Sequence, residues 1–120
     1  MDKLTIKIST DYTTTPGVRE DAEGDFSGEE FLKKILLPKF QQAKEENKKL
    51  FVDLDDTAGY ATSFLEASFG GLTREFNDPK LILSILDFKS SDDPFLISDI
   101  MEYIKDATKK WLNLYLLYFY

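Results

Sequence analysis

The chain has 120 residues, 42% of them hydrophobic and 14% aromatic, which suits one folded domain with a single core and excludes a disordered composition. Its 22 acidic and 15 basic residues leave a formal charge of −7; general nucleic-acid binding and adhesion to an anionic membrane both need a cationic face and are disfavoured. With no cysteine and no histidine, disulfides, Cys/His zinc sites and Ser–His or Cys–His nucleophiles are excluded.

In chain order, Leu4, Ile6 and Ile8 alternate with Thr5, Lys7 and Ser9, which predicts a half-buried strand over 4–9. The N-terminus carries no long apolar run, so no signal peptide is expected and a cytoplasmic location is the default. Residues 10–28 are rich in Thr, Pro, Gly and Asp and read mostly as loop, with room for a short strand near Val18. Ser27 and Glu30 form a capping-box pattern that starts a helix. Phe31, Leu32, Ile35, Leu36, Phe40 and Ala43 recur at helical spacing, and Pro38 should kink or split that helix. Lys33, Lys34, Lys39, Lys44, Lys48 and Lys49 crowd the same segment and read as a solvated face.

KKLFVDL at 48–54 predicts a second strand, and 61–76 a helix with Leu65, Phe69, Leu72 and Phe76 on one face. Asn77-Asp78-Pro79 should end that helix, and Gly70-Gly71 should permit close helix packing or a bend. LILSIL at 81–86 is almost continuously apolar and reads as a third strand, covered on both faces. Asp92 or Asp93 can cap a long amphipathic helix marked by Ile97, Ile100, Met101, Ile104, Ala107, Trp111 and Leu114. The strongly aromatic end, WLNLYLLYFY, is too short for a membrane span and is expected to pack on the domain or on a partner, a homodimer through this helix and tail included. Alternating strands and helices without a linker predict one α/β domain over 1–120, a small mixed, mostly parallel sheet covered by helices, with 109–120 as a hydrophobic tail.

The chemistry-bearing stretch is FVDLDDTAGYATSFLEASFGG at 51–71. Its first half resembles the opening motif of the haloacid-dehalogenase superfamily. That resemblance implies Asp53 as nucleophile, Asp55 as acid and base, and a magnesium ion on the carboxylates. The rest of the chain argues against it: only one strong strand, 81–86, remains for the several that superfamily needs, and although Asp92-Asp93 could mimic its further acidic pair, no strand–helix unit with a Lys lies between. On the simpler reading the acidic residues are solvated at a strand end and punctuate the chain.

Its second half, with FSGEEF at 26–31 and LLP at 36–38, resembles the STAS domain of bacterial anti-sigma-factor antagonists, and more closely the STAS-like domains of unknown function found in bacteria and mobile elements. The resemblance covers roughly 15–87. It implies a non-enzymatic, partner-switching signalling adaptor without a cofactor, bound to a histidine-kinase-like ATPase or another regulator. It puts Thr62 on the phosphoacceptor position, with Ser63 beside it and Leu65 on the buried Leu. Ala61 stands where that family has Asp, and Phe64 where it has Gly. The expected partner-binding residues are Asp56, Thr57, Gly59, Tyr60 (as an exposed anchor), Ala61 and Glu66, with the 10–28 loop alongside. The competing structural reading makes Thr62 or Ser63 an N-cap, and Phe64 and Phe69 core residues.

Overall fold

The computed structural model describes residues 3–17 and 26–119, with side chains through Ala107. Val18 and the tail side chains lie outside the described residues. Among those described, three strands make one parallel sheet in the order β1-β2-β3: β1 Lys3–Lys7, β2 Lys49–Asp53 and β3 Leu86–Lys89. The short helix α1 (Ile8–Asp11) follows β1 directly, so the predicted strand stops two residues early.

The first connection is a continuous helical run: α2 (Gly28–Phe31), a π-helical segment (Leu32–Leu36) and α3 (Leu37–Glu46). Ser27 caps it, its hydroxyl accepting from the Glu30 N–H at 3.0 Å. Pro38 neither stops nor splits the run. It stands in the first turn of α3, and the wider π turn lies immediately before it, with the Leu37 N–H reaching back to the Leu32 carbonyl. Asn47 then ends α3 in the left-handed region, φ 55°.

The second connection holds α4 (Thr62–Leu65), a π segment (Glu66–Gly70), α5 (Gly71–Phe76) and α6 (Pro79–Ile85). The last is a correction: most of LILSIL is helix, and β3 begins only at Leu86. Asn77 ends α5 with φ 51°, and the next two residues start a new helix: Asp78 accepts the Leu81 N–H at 3.1 Å and Pro79 takes the first position. A short apolar run has no period that separates helix from buried strand, and here the cap in front of it decides.

Strands ordered 1-2-3 and joined by right-handed crossovers place both helical connections on one face of the sheet. Burial follows that rule. Ile6, Leu50, Val52 and Leu86 are buried with Phe31, Leu36, Phe40, Phe64, Phe69, Leu72 and Ile82, whereas Thr5 and Asp87 are exposed on the other face. The long helix α7 (Phe95–Phe119) packs on the helical layer, burying Ile100, Ile104 and Ala107, and the buried Thr73 hydroxyl donates to the Ile104 carbonyl at 2.8 Å. Asp93 is the residue that caps α7, accepting the Phe95 N–H at 3.2 Å.

Two glycines set helix spacing. A Cβ on Gly28 would stand 2.5 Å from the Phe64 carbonyl oxygen, and one on Gly71 2.6 Å from Leu32 Cδ2; α2 and its π segment therefore lie directly against the 62–76 helix. No helix among the described residues is long and apolar enough to cross a membrane.

Candidate functional site at the carboxyl end of the sheet

Parallel register puts the three strand ends in one row, Lys7 beside Asp53 and Asp53 beside Lys89. The charges alternate, so the row is attractive: Lys7 Nζ and Lys89 Nζ lie 3.8 and 3.9 Å from Asp53 Oδ2, and Lys89 Nζ 3.7 Å from Asp55 Oδ2. Lys7 also binds the exposed Asp56 at 2.7 Å, which holds its ammonium above the ordinary value against the opposing effect of burial.

Backbone donors finish the cluster. Asp53 Oδ1 accepts the Asp55 N–H at 3.0 Å. Asp55 Oδ1 accepts the Asp92 N–H at 2.9 Å, and Asp92 Oδ2 accepts the Asp56 N–H at 3.0 Å. The turn after β2 and the turn after β3 are thereby tied reciprocally. The Asp92 N–H, followed by Ser91 and Lys89, holds the Asp55 carboxyl below its ordinary value even though burial pushes the other way. Asp56 takes φ 67°, a left-handed turn that aspartate tolerates.

Beyond Asp56 the chain is held from two sides. The Ala58 N–H donates to the Thr14 carbonyl at 2.8 Å and the Ala61 N–H to the Pro16 carbonyl at 3.1 Å, so the early loop does lie alongside the 57–61 turn. Thr57 Oγ1 accepts the Gly59 N–H at 3.3 Å, and Gly59 has φ 119°, open to glycine alone without strain. Tyr60 is not an exposed anchor. It is half-buried, its hydroxyl donates to the Leu54 carbonyl at 2.9 Å and its ring lies 6.2 Å from Phe64. Burial, above all, pushes its hydroxyl well above the usual tyrosine pKa. Tyr12 fixes the early loop, its ring 5.3 Å from Phe31 and 6.2 Å from Phe64, its hydroxyl donating to the Ser27 carbonyl at 2.8 Å.

The helix start departs from the capping expectation. Ala61, extended at φ −73° and ψ 140°, is the cap residue, and its carbonyl accepts the Phe64 and Leu65 N–H groups. Thr62 is the first helical residue and is exposed, Ser63 is half-exposed, and neither caps the helix. Phe64 and Phe69 are core, each fully buried. Glu66 points inward and so leaves the expected surface set: it is 7% exposed, and Arg74 grips both its carboxylate oxygens at 2.8 and 3.1 Å. The site is thus a rim of Asp56, Thr57, Gly59, Ala61 and Thr62 with Thr14 and Pro16 beside it, standing on a Lys-Asp-Lys row.

Sequence reasoning missed Lys7, Lys89 and Tyr12, and read Asp92 as a possible helix cap rather than as the tie to the Asp55 turn. None has a local signal; each reaches the site only through strand register or a loop that folds back.

The family model described as a STAS-like domain of unknown function matches residues 27–95, more than half of the chain. No curated protein and no solved structure matches it. The matched span runs from the Ser27 cap through the acidic turn and the 62–76 helix to the start of α7, and the chain belongs to the family of STAS-like domains of unknown function.

Proposed function

We propose that this domain is a non-enzymatic regulatory adaptor of the partner-switching type. It binds a histidine-kinase-like ATPase or another regulator through the 56–62 rim and the adjoining 13–17 loop, and Thr62 is its phosphoacceptor, with Ser63 the neighbouring candidate. One observation carries this reading: Thr62 is exposed at the head of a continuous 62–76 helical run while Ala61 performs the capping. Its hydroxyl is therefore not committed to holding the helix.

The physics of the position fits a switch. Free N–H groups and a partial positive charge at a helix start accommodate a phosphate locally. The same phosphate adds nearly two negative charges to a rim that already displays Asp56. A partner docked there loses affinity by repulsion, without any refolding of the domain. The ties from Asp92, Thr14 and Pro16 hold the turn in one shape.

The test is recovery of the full chain from its native cells, with mass mapping of phosphate and identification of co-purified proteins, for the natural chain, Thr62→Ala and Thr62→Glu. A kinase-like ATPase that stays with Thr62→Ala and is lost from Thr62→Glu supports the reading. Identical partners for all three chains, with no phosphate at 62 or 63, end it.

No observation favours the magnesium phosphohydrolase reading of Asp53 and Asp55. Asp53 accepts a backbone N–H on one oxygen and faces two lysine ammonium groups on the other, so the pair ties strand ends together.

A further inference from the structure

We infer that the free edge of β1 is a second protein-binding site, one that accepts an extended segment of a partner as a fourth strand, and that the segment alternates acidic and apolar side chains. This surface does not depend on the switch reading, and it touches the 56–62 rim at one end, where Lys7 pairs with Asp56.

Three observations on one side of the domain support it. The first is the backbone. β1 pairs only with β2, so its other edge is open among the described residues. In a parallel strand the N–H and C=O of a residue point to the same side, and the side alternates along the chain. Asp11 Oδ2 accepts the Lys7 N–H at 2.8 Å, and the Lys7 carbonyl accepts the Thr10 hydroxyl at 3.3 Å. Odd-numbered positions therefore face outward, and Asp11 closes the edge at Lys7. Lys3 and Thr5 remain with outward N–H and C=O groups, the template that strand addition uses.

The second is a groove beside that edge. It holds about 440 Å³ between β1 and the helical run over 32–46, lined by Thr5, Ile6, Ile35 and Pro38 together with Lys34, Lys39 and Asp11. Side chains of an added strand alternate between the two faces of the sheet. Those on the helical face enter this groove beside Ile6 and Ile35 and need to be apolar.

The third is charge, and it selects the occupant. On the open face β1 presents the exposed Lys3, while Lys7 there is already paired with Asp56 and Asp53. A strand with Asp or Glu on that face is attracted to Lys3, and Lys34 and Lys39, which outnumber Asp11 in the groove lining, favour the same charge. Lys34, its side chain 70% exposed, forms a 3.4 Å pair with Glu30, which an incoming carboxylate can replace.

The experiment uses the full chain labelled with ¹⁵N and a capped heptapeptide of alternating Glu and Val at millimolar concentration. Amide shifts are expected at Lys3–Lys7 and across 34–42. Three further measurements separate edge pairing from adventitious contact. A peptide N-methylated at every residue has no N–H to give to either edge and should bind at least about tenfold more weakly, since two or more hydrogen bonds are lost. A Lys/Val peptide should bind about tenfold more weakly as well. Thr5→Pro removes an outward N–H and no ladder bond, a position where an edge strand tolerates proline, and should abolish the shifts at 3–7. The inference is overturned if the N-methylated peptide binds equally well, if the shifts fall on 54–62 alone, or if the free chain self-associates through β1.

Discussion

Gly28→Ala sets two effects of opposite sign against each other. On propensity alone alanine should stabilise a helix, by up to about 1 kcal/mol over glycine in a helix interior and by less at this first position. The packing says otherwise. The new Cβ would stand 2.5 Å from the Phe64 carbonyl oxygen and 3.1 Å from both Phe64 Cα and Ala67 Cβ. Two of these neighbours are backbone, so no rotamer change relieves the clash. The 62–76 helix must retreat by about 0.9 Å to restore ordinary contact, in an interior packed at crystal density. Overpacking of that kind costs about 1–3 kcal/mol, and the net expectation is a loss of about 1–2 kcal/mol. Urea unfolding followed by circular dichroism reads it: with a slope of about 1–2 kcal/mol/M, the midpoint should fall by about 1 M. Gly71→Ala is the internal comparison. The nearest atom to its Cβ would be the end of the flexible Leu32 side chain, 2.6 Å away, with the others at 3.8 Å or more, and its cost should be smaller. Amide shifts in Gly28→Ala should concentrate at 62–67, because the displaced helix carries Thr62 at its head. A midpoint equal to or above that of the natural chain would refute the close approach of these helices.

Two further outcomes follow from the site. Asp55 has a folded-state pKa below its ordinary 3.8, chiefly through the Asp92 N–H. Its contribution to stability is therefore present above that value and is lost as pH falls through the lower folded one. Asp55→Asn should be less stable at neutral pH and show a flatter acid limb below about pH 4; an unchanged acid limb in a urea series from pH 7 to 3 would count against the tie. Ala61→Ser places a hydroxyl at a cap position that now lacks one and should stabilise the domain by about 1 kcal/mol, read as a higher urea midpoint.

Local chemistry made much of this protein legible. Ser27 with Glu30 announced a helix start because a cap needs only its own next turn. The apolar positions 31, 36, 40 and 43 and 65, 69 and 72 marked the buried faces because a helix repeats regardless of what it packs on. The three separated blocks around the acidic turn carried the family, and the matched span contains most of them. Period failed at 81–86, where an apolar run gives the same pattern in a helix or a buried strand, and the cap at Asp78 and Pro79 settled it. It failed too at Glu66, whose polarity suggested solvent, since only the folded chain brings Arg74 to both carboxylate oxygens.

Residue order alone thus laid out most of the elements and their inward faces, with a helix beginning near 62, but not the short helix after β1 or the helical state of 81–85. Which charges meet depended on the folded chain: the row of Lys7, Asp53 and Lys89, the tie between Asp55 and Asp92, and with them the open edge of β1. Periodicity and capping act within a turn or two of chain, whereas these contacts join residues up to dozens of positions apart and exist only once parallel register sets the strand ends side by side.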